Sequence, residues 1–232
     1  MIQSNVRRIF LDIESICRQA NRNPSDVALV GVTKFVPLEQ IQEAIDAGIQ
    51  HLAENRVQEA EKKFPLILAQ NPQVKGYLIG HLQTNKAKDA IKACSMIQSV
   101  DSLKLAEEIE KQALKNGQAV DILVQFNTAH EEQKFGAEPA EANEMIESIS
   151  RLSFVHVKGL MCMAPYTEDQ GVIRKTFSDL RDIRDGIKSR FAGHPRVEMN
   201  VLSMGMSSDY KMAIEEGSTM IRVGSAIFKA EE

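Results

Sequence analysis

Short β-branched apolar runs alternate with amphipathic helical patterns along almost the whole chain, and this alternation most limits the folds open to it. The strand candidates are residues 27–33, 49–53, 76–79, 96–100, 121–127, 154–163, 198–203 and 220–223. Helical spacing fills the gaps at 38–47, 57–68, 102–115, 138–149, 172–191 and 209–216. Before them, Val6, Ile9, Phe10, Ile13, Ile16 and Cys17 recur at helical period, and the Asn23-Pro24-Ser25-Asp26 stretch ends that first helix. Strands that alternate with helices pair in parallel, because each crossover helix carries the chain back to the same edge. About eight such units, in 232 residues, imply an α/β fold: one (β/α)8 barrel domain spanning 1–232, with an extra N-terminal helix. A doubly wound open sheet is the competing topology. The absence of Gly-x-Gly-x-x-Gly after the first strand weakens its dinucleotide-binding form.

Composition excludes several classes of function. With 43% hydrophobic and 26% charged residues and a net charge of -4, the chain reads as an ordinary globular protein without a basic patch for nucleic acid. No apolar run approaches the ~20 residues that span a membrane. Three widely separated cysteines, Cys17, Cys94 and Cys162, suit a reducing cytoplasm better than a disulfide framework. Nucleic acid and membranes are therefore not expected partners, and a cytoplasmic monomer or weak dimer is expected.

Three features bear chemistry. Lys34 ends an apolar run and shares strand parity with Ala28, Val30 and Val32, at the end where barrels keep their active sites. A strand-end lysine is usually idle and solvated, so this position alone decides nothing. The stretch from Val201 to Phe228 holds two strand-to-helix turns rich in Gly and Ser, around Ser207 and around Gly224 and Ser225. Such turns either close tightly or bind an anion on their amides and hydroxyls. Ser207 or Ser208 is expected to cap the helix near Asp209, with Gly217 ending it. Arg222, within a buried strand, needs either a salt-bridge partner or an acceptor on a ligand. A phosphate site, a mouth-facing lysine and an interior arginine together suggest pyridoxal 5'-phosphate, held as a Schiff base on Lys34. Burial and neighbouring positive charge would lower the lysine pKa.

The segments VALVGVTKF, AIDAGIQHLAENRVQEAEKK, LIGHLQTNKAK, VHVKGLMCM and LSMGMSSDYKMAIEEGSTMIRVGSAIF, in this order, resemble the pyridoxal-phosphate-binding homeostasis family. Its members are single-domain relatives of the bacterial alanine racemase barrel. The resemblance implies a reversible Schiff base at Lys34, a polar cofactor contact at Asn55, and phosphate on Ser207, Gly224 and Ser225, with Ser203 and Met206 nearby. It also implies Arg222 facing the pyridine nitrogen, which makes the ring a poor electron sink. Two departures stand out: Ala53 where many relatives have glycine, and an ending FKAEE where relatives carry glycine and then a basic residue.

The reading that follows is a carrier acting in vitamin B6 and amino-acid homeostasis, with apo-enzymes that require the cofactor as partners and no strong catalysis of its own. A slow amino-acid racemase is the alternative, and a cofactor-free Schiff-base aldolase a third. A racemase needs a second base, and Tyr77, Tyr166 and Tyr210 all read as surface or rim residues. No metal is expected, since His51, His81, His130, His156 and His194 show no metal-ligand spacing. His81 could line the mouth. Lys86, Lys88 and Lys92 form a solvated helical face, and Met161 and Met163 are read as core on strand six, Met161 facing the cofactor ring.

Overall fold

The computed structural model describes residues 1–129 and 135–229. The chain opens with α1 (Ile2–Gln19), whose Ile2, Val6, Ile9, Ile13, Ile16 and Cys17 form one buried stripe. Then follow β1 (Ala28–Val32), α2 (Leu38–Asp46), β2 (His51–Glu54), α3 (Val57–Gln70), β3 (Lys75–Leu78), α4 (Ala87–Ala93) and β4 (Met96–Val100). The second half runs α5 (Leu103–Asn116), β5 (Val120–Gln125), α6 (Ala142–Ser150), β6 (Val155–Met161), α7 (Gln170–Arg190), β7 (Val197–Ser203), α8 (Tyr210–Glu215), β8 (Met220–Val223) and α9 (Ser225–Phe228). The eight strands close into one parallel barrel in chain order, and β1 meets β8 with Val30 opposite Arg222. The expected barrel is the observed one.

Strand parity sorts the core into two layers. Val30, Ala53, Tyr77, Met96, Leu123, Met161 and Met220 point inward and pack on one another. Residues of the other parity, such as Leu29, Leu52, Leu78, Ile97, Ile122, Leu160 and Ile221, pack outward against the helices. A bulge interrupts the pairing of β6 with β7 between Val157 and Gly159. A Cβ at Gly159 would lie 1.8 Å from the Val201 carbonyl oxygen, so only glycine fits there. Helix α1 covers the seam, packing on α2, α8 and α9. The Asn5 amide donates to the Ile227 carbonyl at 3.0 Å. Arg22 donates to the carbonyls of Ile214 and Ser218 at the end of α8, and Gly217 ends that helix at φ +102°, as its position implied.

Two sequence expectations are corrected here. Tyr77 is not a surface residue: it lies inside the barrel, stacked on His51, whose Nδ1 is 2.8 Å from its hydroxyl. Burial, with the nearby Asp121 charge, pushes the Tyr77 phenol up to about 12. Tyr210 is likewise buried, and its hydroxyl donates to Asp12 on α1 at 2.6 Å. Tyr166, by contrast, is fully exposed on the rim. All three cysteines are buried. His130 and Ala230–Glu232 of the FKAEE ending lie outside the described residues.

Candidate functional site

The strand C-termini open into a cavity of about 880 Å³. Its wall brings together Lys34, Asn55, Met206, Ser207, Arg222, Gly224 and Ser225. Met161 and Ser203 are fully buried and lie outside that wall. The methionine of this strand's parity that reaches the cavity is Met163, two residues farther along. Ser203 instead stands behind Arg222.

Lys34 sits beyond its strand. β1 ends at Val32, and Lys34 is exposed in the turn that follows, not buried on the strand as expected. Phe35 beside it takes φ +61°, a left-handed conformation that costs a non-glycine residue about 1–2 kcal/mol, and is 87% exposed. The turn is anchored from below. Thr33 is fully buried and its hydroxyl donates to Glu54 Oε1 at 2.7 Å. Lys63 on α3 reaches in to donate both to that oxygen and to the Thr33 carbonyl, each at 2.8 Å. The side chain of Glu54 has no solvent exposure, and its second oxygen has no partner among the described residues. A buried ion pair therefore holds the backbone immediately before Lys34. Asn55 follows directly on β2, and the β3 turn lies hard against it: a Cβ at Gly80 would come within 2.0 Å of the Asn55 carbonyl oxygen.

Arg222 forms the floor. It is 3% exposed, and its guanidinium donates to Ser203 Oγ at 2.7 Å and to the Cys162 carbonyl at 2.8 Å. The Ser203 hydroxyl in turn donates to Gln98 Oε1 at 2.7 Å, and Gln98 donates to the Met220 sulfur. Among the described residues no carboxylate lies within ion-pairing distance of Arg222, so the salt-bridge reading is set aside in favour of neutral acceptors. Burial pulls the guanidinium below its ordinary range. It remains a cation held by neutral groups.

The two Gly/Ser turns meet. Contrary to the expectation of a cap, Ser207 does not cap its own helix but accepts from the amides of Gly224 and Ala226 at 3.3 Å each, joining the turn after β7 to the turn after β8. Ser208 makes no cap either: Asp209 is the first residue of that boundary, and its carboxylate accepts from the Met206 amide. Across the cavity stand His81, Gln125, Phe135 and Tyr166. Only His81 and Tyr166 of these were visible as rim residues from the sequence. Phe135 gave no local signal, lying in an irregular stretch after β5. Lys88 and Lys92 on α4 are exposed, and Lys86 pairs with Asp89. Among the described residues no group of three or more His, Cys, Asp or Glu could hold a metal ion, and no helix is long and apolar enough to cross a membrane.

The alanine racemase N-terminal domain model matches residues 12–232. The pyridoxal phosphate homeostasis protein of Aquifex aeolicus is 38% identical over 221 residues, covering 95% of this chain and 94% of that one. The crystal structure of an unknown protein from Bifidobacterium adolescentis superposes with a TM-score of 0.93 at 36% identity, over 98% of this chain and 94% of that one. PipY of Synechococcus elongatus PCC7942, solved with PLP bound, superposes with a TM-score of 0.80 at 34% identity, over 94% of this chain and 99% of its own. With its closed parallel barrel and near full-length likeness, the chain belongs to the pyridoxal phosphate homeostasis family, built on the alanine racemase N-terminal domain.

Proposed function

We propose that this protein binds pyridoxal 5'-phosphate in the mouth cavity, holds it reversibly as a Schiff base on Lys34, and serves to store and hand on the cofactor within vitamin B6 and amino-acid balance. The observation that carries the reading is the meeting, in one cavity, of an amine, a buried arginine held by neutral acceptors and a joined pair of Gly/Ser turns. The donor set suits the group. Two amides converge on one oxygen at Ser207, which is where an anion's oxygen would be received. Arg222 presents positive charge to a ring nitrogen lone pair and, held by Ser203 and Cys162, cannot supply the acidic partner that a strong electron sink needs. When bound, the cofactor supplies an aldehyde carbon that can exchange one amine for another.

The chain's own residues favour holding over turnover. Lys34 stands in an exposed turn, and the mouth above it is rimmed by exposed Phe35 and Tyr166. Such an opening admits water and other amines, which suits release and does not protect a reactive intermediate. Of the tyrosines, Tyr77 lies inside the barrel and the buried Tyr210 hydroxyl is committed to Asp12, leaving Tyr166 at the rim. The test is a visible absorption spectrum of the purified, cofactor-treated protein, followed by borohydride and peptide mass mapping. A pyridoxyl adduct confined to Lys34 is expected. A colourless protein that takes up no added pyridoxal phosphate would overturn the reading. Interconversion of alanine enantiomers would favour a racemase.

A further inference from the structure

One wall of the cavity is unused by this reading, and it holds an imidazole. His81 follows β3 and Asp101 follows β4, with His81 Nδ1 3.1 Å from Asp101 Oδ2. The His81 ring stacks on Phe135 at 4.0 Å between centroids and 13° between planes. Phe135 and the chain just before His81 are themselves secured. The Phe135 carbonyl accepts from Gln125 Nε2 at 2.7 Å, and the Ala137 amide donates back to the Gln125 carbonyl. The Ser99 hydroxyl donates to the Gly80 carbonyl at 2.6 Å, fixing the chain one residue before His81. Thus β3, β4 and β5 each contribute to holding one ring whose side chain is still 36% exposed. Core packing does not account for that. A carboxylate on one ring nitrogen selects the tautomer and leaves the other nitrogen as a proton acceptor.

We infer that His81 is the proton acceptor for a small primary amine, an amino acid, that takes the cofactor from Lys34. The inference rests on Lys34 holding the cofactor. An amino acid arrives as an ammonium, whose nitrogen has no lone pair with which to attack. His81 Nε2 takes its first proton. The freed pair forms a bond to the carbon that a double bond joins to Lys34 Nζ, and one pair of that double bond moves onto Nζ; loss of a second proton from the incoming nitrogen supplies the second pair as the remaining carbon–Nζ bond breaks. The remaining protons and the one on His81 pass to Nζ, so Lys34 ends as an ammonium and one amine has replaced another, without oxidant or reductant. Ile79, Phe135 and Met163 give the incoming side chain an apolar wall, which makes phenylalanine a suitable probe.

The experiment loads the full-length protein and follows transfer of the cofactor to phenylalanine and, separately, to methoxyamine, whose nitrogen is uncharged at neutral pH and has no proton to shed first. His81→Gln is expected to slow transfer to phenylalanine by about 100-fold, the usual size of a general-base effect, and to leave methoxyamine transfer within about twofold. Asp101→Asn, as a second variant, should slow phenylalanine transfer and spare methoxyamine. Equal slowing of both amines, or an unaltered phenylalanine rate in either loaded variant, would overturn the role. If the unaltered protein never acquires the absorbance or the Lys34 adduct, the cofactor reading itself falls and takes this one with it.

Discussion

Replacing Lys63 by methionine tests whether the buried pair beneath Lys34 is structural. The Lys63 side chain is 12% exposed and Glu54 wholly buried, so removal of the ammonium leaves a carboxylate in the protein interior with only the Thr33 hydroxyl on Oε1 and no partner on Oε2. Breaking a buried pair on one side costs about 3–5 kcal/mol, against about 0–1 kcal/mol for an exposed pair such as Lys62 with Glu59. The chain lacks tryptophan, so circular dichroism is the natural probe of unfolding in urea at pH 7. With a slope on the order of 3 kcal/mol per M, the midpoint should fall by about 1–2 M. Adding Glu54→Gln to Lys63→Met removes the stranded charge and should recover a large part of the loss, a coupling on the order of 2 kcal/mol. A loss below about 1 kcal/mol in the single variant, or no recovery in the double, would refute the argument. The Lys63 bond to the Thr33 carbonyl adds a functional side: the single variant should also hold the cofactor less tightly, because the backbone before Lys34 is released.

Two further outcomes are expected. Tyr77 keeps its proton in the folded protein up to about 12, whereas an unfolded tyrosine gives it up near 10. The folded state therefore binds the extra proton across that window and stability falls as pH climbs through it, by an amount on the order of 2–3 kcal/mol. Urea midpoints between pH 9 and 12 should show this slope on top of those from the buried Cys94 thiol and the Tyr210 phenol, which are also pushed up, and Tyr77→Phe should lessen it by that amount; a slope unaltered by the substitution would contradict the assignment. Gly80→Ala forces a Cβ to within 2.0 Å of the Asn55 carbonyl oxygen, which only a backbone shift can relieve. The cost is about 2 kcal/mol or more, a fall of at least ~4 °C in melting temperature, together with weaker cofactor retention; an unaltered melt would show that the turn has room.

The barrel was legible because its signal is local and repeated. The inward parity of Val30 and Met161 and the outward parity of Leu29 and Leu160 follow from a period of two. Depth did not follow. Met161 and Met163 share a face, and only the tilt and stagger of the strands decide that Met163 reaches the cavity while Met161 stays below it. The end of β1 was likewise two residues short of Lys34, so the lysine is presented by a turn. Pairings between distant positions left no trace in the sequence pattern: Glu54 with Lys63, His81 with Asp101, Ser207 with the amides of Gly224 and Ala226. Each joins side chains through the fold, and local periodicity carries no information about them.

The closure of the barrel at β1 and β8 has a consequence for how the chain comes to be folded. Val30 cannot find Arg222, nor Asn5 the carbonyl of Ile227, until the last strand has been made. These contacts span about as much sequence as the chain allows, and loop closure must come before they contribute anything. During synthesis the apolar stripe of α1 therefore has only α2 to cover it until α8 and α9 are made. That stripe and the open edge of β1 are the surfaces that a growing chain has most need to keep from other chains.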